Sequence, residues 1–234
     1  MGIKLDSRNF GLAIGTFVIA LLTWAGVARA GDELGTFDGQ ADVGTVSPPG
    51  TAKFDQATGQ YRITSSGQNM WAAHDDFHLV YRKASGGLTL TADITLAGES
   101  KGPHRKGGLM IRQGIEPDAA YVDVMVHGDG LIALQYRSKP GGTTADIKAN
   151  IKAPAAVRLE RHGDTFTAFV APKTGASDKP QAFEPIGSVK VELKDPVYVG
   201  LAVCSHDAKA TETAVFSGVS LKNEAAAVDK RQAN

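Results

Sequence analysis

The sequence predicts an all-β protein, a two-sheet antiparallel jelly-roll sandwich. Short β-branched and aromatic runs recur at even spacing, separated by glycine-rich breaks. No amphipathic helical period of useful length appears before Asn223. The segment that remains after the N-terminal apolar run is about 200 residues, enough for one domain with its own core.

Residues 1–30 read as a secretory signal peptide. Lys4 and Arg8 give a positive start, FGLAIGTFVIALLTWAGV (10–27) is almost wholly apolar, and Ala28-Arg29-Ala30 supplies the small residues of a cleavage site. The same run is near the length of a membrane anchor. Small residues rather than stop-transfer charges follow it, which favours cleavage after Ala30 and a periplasmic or secreted protein with no remaining span. The sandwich is expected over 31–222, and NEAAAVDKRQAN (223–234) reads as a loose, charged, alanine-rich tail.

The expected strands are Tyr61–Thr64, Phe77–Arg82, Leu88–Leu96, Gly108–Gln113, Ala120–His127, Leu131–Arg137, Val157–His162, Thr165–Ala171, Ser188–Leu193, Val197–Cys204 and Thr213–Leu221. Gly128-Asp129-Gly130 and Gly163-Asp164 mark two tight hairpins. Glu99–Lys106 and Ser138–Pro154 read as longer polar loops, the places where a rigid sandwich often carries binding groups.

Strand side chains alternate between faces. In YVDVMVH, Val122, Val124 and Val126 take one face, and Tyr121, Asp123, Met125 and His127 the other. LIALQYR divides into Ile132, Leu134 and Tyr136 against Leu131, Ala133, Gln135 and Arg137. KGGLMIR divides into Leu109 and Ile111 against Lys106, Met110 and Arg112. If these strands are neighbours, the apolar sets form the core. The other sets then gather Arg112, Tyr121, Asp123, His127, Gln135 and Arg137 on an outer, concave surface. Guanidinium forks, a carboxylate, an amide and an aromatic suit hydroxyl and carboxylate groups, as on a sugar. The alternative is an ordinary polar sheet face whose ion pairs satisfy one another.

Composition narrows the partners. The chain has 25 basic and 25 acidic residues among its 234, which argues against general electrostatic binding to nucleic acid or anionic membrane. The single cysteine, Cys204, rules out an intramolecular disulfide and reads as a small buried hydrophobe in YVGLAVC. His74, Asp76 and His78 in WAAHDDFHLVYR share one strand face and, with Asp75, form a weak zinc or calcium candidate. Without a further ligand at a fixed offset, no metal or other cofactor is expected. Trp71, Phe77 and Tyr81 read as core or rim aromatics, and a stacking platform would need one of them exposed.

Enzymatic motifs are missing. There is no E-x-D-x-E run to deliver paired carboxylates, no G-x-S-x-G, no H-E-x-x-H and no P-loop. Ser205 and His206 are adjacent, so an extended backbone points them to opposite faces. The expectation is therefore a non-catalytic binding module for a glycan or other polar envelope polymer. A protein-interaction or scaffold domain is the alternative. A lyase-type enzyme using Arg112, Tyr121 and His127 is a third reading.

Several stretches carry a family resemblance: FDGQADVG (37–44), NMWAAHDDFHLVYR (69–82), HRKGGLMIR (104–112), YVDVMVHGDGL (121–131), LERHGDTF (159–166) and VYVGLAVCSH (197–206). Together they make residues 34–221 resemble the concanavalin A-like sandwich domain of bacterial TolB-like "biopolymer transporter" proteins. The chain is similar, more loosely, to concanavalin A-like regulators of enolase. The resemblance implies a two-sheet jelly roll in an exported setting and brings no catalytic residues with it.

Overall fold

The computed structural model describes Gly2 and residues 34–175 and 178–224. The signal-peptide reading, the cleavage site and the tail from residue 225 onward lie outside the described residues.

The described residues fold into fifteen strands. They are β1 (Gly39–Val43), β2 (Thr51–Asp55), β3 (Gln60–Ser65), β4 (Asn69–Trp71), β5 (His74–Ala84), β6 (Gly87–Leu96), β7 (Lys106–Arg112) and β8 (Tyr121–His127). They continue with β9 (Ile132–Arg137), β10 (Ala145–Lys148), β11 (Ala155–His162), β12 (Thr165–Pro172), β13 (Glu184–Lys190), β14 (Val197–Cys204) and β15 (Glu212–Glu224). One sheet runs β1-β5-β14-β7-β8-β9-β10, with β4 paired to the first residues of β5. The other runs β13-β12-β11-β6-β15-β3-β2. All pairings are antiparallel, and the sheets stack face to face as a sandwich. Among the described residues no helix is long and apolar enough to cross a membrane.

Alternation drives the stacking. Val122, Val124 and Val126 enter the main core with Leu109, Ile111, Ile132 and Leu134 from one sheet, opposite Leu88, Leu90, Val157, Leu159 and Phe216 from the other. Each fully buried aliphatic or aromatic side chain contributes about 1.5–3 kcal/mol to holding the sheets together. The two glycines of HRKGG have a packing reason. A Cβ at Gly108 would run into the Val124 carbonyl oxygen and the Met125 sulfur, so only glycine lets β7 lie that close to β8.

Some expectations need correction. Ser188–Leu193 is displaced: the strand is Glu184–Lys190, while Val191 and Leu193 leave the ladder and sink into the core. A register shift between Ala168 and Phe169 accompanies that strand's pairing with β12. The polar loop 138–154 contains β10, and the expected tail loses Asn223 and Glu224, which pair with Leu88 and Gly87. β1, β2 and β4 were not anticipated, because GQADV, TAKFD and NMW are too short or too polar to stand out.

Candidate functional site

The outer face of the first sheet is covered rather than open. A second apolar cluster sits on it, formed by Val43, Met70, Phe77, Leu79, Met110, Tyr121, Met125, Ala202 and Cys204. The cover is the β4–β5 hairpin, whose turn residue Ala72 takes a left-handed φ of 54°. An alanine tolerates that conformation only when its surroundings hold it there. Its carbonyl accepts hydrogen bonds from Arg137 Nε (3.1 Å), Thr144 Oγ1 (2.9 Å) and the Thr144 backbone N–H (3.1 Å).

Beneath the hairpin, Asp75 closes one half of the face. Arg137 grips its carboxylate as a two-pronged fork, Nη1 to Oδ2 at 2.8 Å and Nη2 to Oδ1 at 2.7 Å. Arg112 Nη2 approaches the same carboxylate at 3.4 Å and also donates to the Glu116 carbonyl at 2.7 Å. The guanidiniums lie over Tyr121 and Phe77, respectively 4.9 and 5.0 Å from the ring centroids. All three charged side chains are 0% exposed. Burial works to lower the Arg137 basicity, but the hydrogen bonds and charge of Asp75 carry it above its ordinary value. This half is a lock that fastens the hairpin to the sheet.

The other half opens into a cavity of about 270 Å³. Asn69 and Trp71 from β4 form one side of it, Lys106 and His127 belong to its floor, and Gln135, Asp146 and Lys148 come from β9 and β10. His104, Leu131 and His206 complete the rim. Asn69 organises the polar groups. Its Oδ1 accepts from Lys106 Nζ at 2.9 Å and from the Met70 N–H at 2.9 Å, while Nδ2 donates to His206 Nε2 at 3.2 Å. His206 therefore carries its proton on Nδ1. It stands at the end of β14 with a φ of 57°, the second non-glycine residue of the described chain in the left-handed region. His127 donates from Nδ1 to the Leu131 carbonyl at 3.2 Å, leaving Nε2 as an acceptor. The His104 ring lies 5.3 Å from that of His206 and 6.4 Å from that of His127.

Charge under this floor is only partly compensated. Asp123 is fully buried, and neither of its oxygens has a hydrogen-bond partner. The Oε1 of Gln135, which lies across from Asp123 in the β8–β9 ladder, is also without one. Burial pushes the Asp123 carboxyl well above the carboxylate range, with Lys106 opposing, and burial lowers Lys106 from its ordinary value. Burial disfavours the charged form of each, and each charge offsets part of that penalty for the other. Burial, then the Lys106 charge, brings His127 down to about 4, and burial followed by the same charge lowers His206. Burial raises the Cys204 thiol to about 11, an inert buried sulfur as expected.

The six residues expected to form a ligand surface do share one face of adjoining strands. Their expected exposure is corrected. Arg112, Tyr121, Asp123 and Arg137 are 0% exposed because the hairpin covers them, and only His127 and Gln135 line the cavity. Trp71, half-buried, is the aromatic at its edge, whereas Phe77 is internal. The His74–His78 candidate comes apart. His74 lies beside Asp76 at 3.3 Å, while His78 is tied further along the strand to Asp42 (2.7 Å) and Gln40 (3.0 Å) of β1. Among the described residues no group of three or more His, Cys, Asp or Glu is arranged to hold a metal.

No family model matches the chain, and no curated protein matches it. Solved structures do. One is a functionally unknown protein from Saccharomyces cerevisiae, 13% identical over 80% of this chain and 97% of that one, with a TM-score of 0.58. Another is Bacteroides ovatus xyloglucan PUL GH43B, 14% identical with a TM-score of 0.52. That match covers 74% of this chain and 34% of the other, so the sandwich spans about a third of the GH43 protein. A third is arcelin-5, a lectin-like defense protein from Phaseolus vulgaris, 11% identical over 81% of this chain and 94% of that one, with a TM-score of 0.50. At these identities the likeness is one of fold. It agrees with the concanavalin A-like sandwich and gives no support to the TolB-like family name.

Proposed function

We propose that the chain is an exported, non-catalytic glycan-binding module whose ligand enters the cavity between Trp71 and the Lys106–His127–Gln135 floor. The observation that carries the reading is the pairing of a half-buried indole with a floor of buried polar groups whose hydrogen-bonding capacity is not used up. A sugar ring offers an apolar face to an aromatic and hydroxyls that both donate and accept. Gln135 Oε1 and His127 Nε2 are acceptors, and Lys106 Nζ has N–H groups beyond the one bound to Asn69. A cavity of about 270 Å³ lies near the roughly 300 Å³ lower end of small-molecule sites, a fit for one or two sugar units. That a lectin-like protein uses the same sandwich supports the reading.

The non-catalytic part rests on the wall chemistry. Asp146 is the one carboxylate among the lining residues, and hydrolysis of a glycosidic bond ordinarily needs two flanking it. Export rests on the N-terminal pattern of residues 1–30.

The test is a glycan array followed by calorimetric titration of each hit. Trp71→Ala should weaken binding at least tenfold while moving the melting temperature by no more than a few degrees. Silence across the array, or hits indifferent to Trp71→Ala, would refute the reading.

A further inference from the structure

The cavity floor contains a buried cation that is not closed onto a counter-charge. Lys106 is 3% exposed, yet its described hydrogen bond goes to a neutral amide oxygen, Asn69 Oδ1. Asp123, a carboxylate on the same face of β8, lies four pairs further along the β7–β8 ladder, opposite Met110, and both of its oxygens lack hydrogen-bond partners. The ammonium therefore does not bond to it. Burying a charge is costly unless it is paired at contact distance. The second lysine of the site, Lys148, stands exposed at the cavity wall on β10. The wall's own carboxylate, Asp146, is half-buried on the same short strand.

We infer that the recognised unit of the glycan is an anionic sugar, its negative group seated against Lys106 with Lys148 at the entrance and its ring against Trp71. This rests on the glycan-binding reading above and specifies its ligand class. The chemistry is that of a point charge. An ammonium on a flexible stem accepts a carboxylate or a sulfate ester without the two-pronged geometry a guanidinium would impose. The guanidiniums on the same sheet face, Arg112 and Arg137, are committed to Asp75, and that of Arg105 to Glu212. An incoming anion supplies the contact-distance partner that Lys106 lacks. The neutral imidazole edges of His127 and His206 remain free to meet hydroxyls.

The experiment is a calorimetric comparison on the full chain with matched probes. Trigalacturonate is set against its methyl ester, and a sulfated galactose disaccharide against its desulfated form, each at low and high salt. At least one acidic probe should bind tenfold or more tighter than its neutral partner, with the difference shrinking as salt rises. The pair that shows it identifies carboxylate or sulfate as the anion. Lys106→Gln should erase the preference, so that acidic and neutral partners bind equally, whatever it costs the affinity for both. If that variant fails to fold, the wild-type comparison decides alone, and Lys148→Gln should reduce the preference in part. Equal binding of acidic and neutral probes overturns the anionic inference and leaves the glycan reading standing. No binding by any probe or array glycan overturns both.

Discussion

Two halves of one sheet face, built from the same three strands, have opposite characters. At the end nearest Arg112, Tyr121 and Arg137, every charge is paired. Asp75 receives a bidentate fork and a second guanidinium, and further N–H groups end on the carbonyls of Ala72, Glu116, Pro117 and Ala119, with Arg112 Nε the one guanidinium nitrogen of the pair left without a partner. Toward Lys106 and His127 the ammonium leans on an amide and the space beside it is open, and Asp123, in the row between Tyr121 and Met125, is orphaned. Both ends are polar and buried, so polarity alone does not separate scaffold from site. The degree of satisfaction does: a network with its charges paired and nearly all its donors used specifies structure, and an unpaired one bordering a cavity leaves bonding capacity for a ligand.

The sharpest way to break this comparison is the same substitution at both ends. Asp75→Asn strips the counter-charge from two buried guanidiniums. Removing one partner of a buried ion pair costs about 3–5 kcal/mol, and here the hairpin carrying Trp71 should loosen with it. Urea unfolding would show the midpoint falling steeply. A change below about 1 kcal/mol would mean that the lock is not holding the hairpin. Arg112→Ala and Arg137→Ala belong with this variant: they should destabilise the protein first and weaken binding only as a consequence.

Acidification probes the open half at the next level of effect. His127 ionises in the folded state at about 4, below the 6.5 of an unperturbed histidine. Between those values the unfolded chain binds the proton that the folded chain refuses. Stability is full above pH 6.5 and is lost as pH falls toward 4, by about 3 kcal/mol for a shift of that size. The raised Asp123 and Asp75 carboxyls act in the opposite sense, since the folded state takes up their protons first. The informative quantity is therefore the difference between wild type and His127→Gln. Across that window the variant should lose less stability than the wild type, and parallel curves would refute the assignment.

How much of this was legible in the sequence follows from the same contrast. Alternation in YVDVMVH, LIALQYR and KGGLMIR is a local property, so the core valines and the shared face could be read directly. The cover could not. It depends on NMWAAHD folding back as a short hairpin over strands distant in sequence, and a three-residue strand has almost no pattern of its own. Without the cover, Arg112 and Arg137 read as solvent-facing binding groups instead of internal ties. The cavity residues are scattered for the same reason. Asn69 and Trp71 alternate in N-x-W, Asp146 and Lys148 in D-x-K, and only the topology brings them beside Lys106. Lys106, His127 and Gln135 were marked locally, as members of the polar faces of KGGLMIR, YVDVMVH and LIALQYR.

The smallest expected effect is the most discriminating. Asp123→Asn is nearly isosteric and removes a buried charge whose oxygens bond to nothing. Losing an unsatisfied charged group recovers desolvation, while Lys106 loses a distant counter-charge, and the two terms oppose each other. Stability should change by no more than about 1 kcal/mol in either direction, against the several expected for Asp75→Asn. The local consequence should still be visible, because an ammonium that keeps its charge with no carboxylate below it attracts an anion more strongly. Tighter binding of the acidic probes by Asp123→Asn, with unfolding unchanged, would tie the orphaned end to ligand charge. A loss of several kcal/mol would instead show Asp123 to be a second lock, and the two halves of the face would no longer differ in kind.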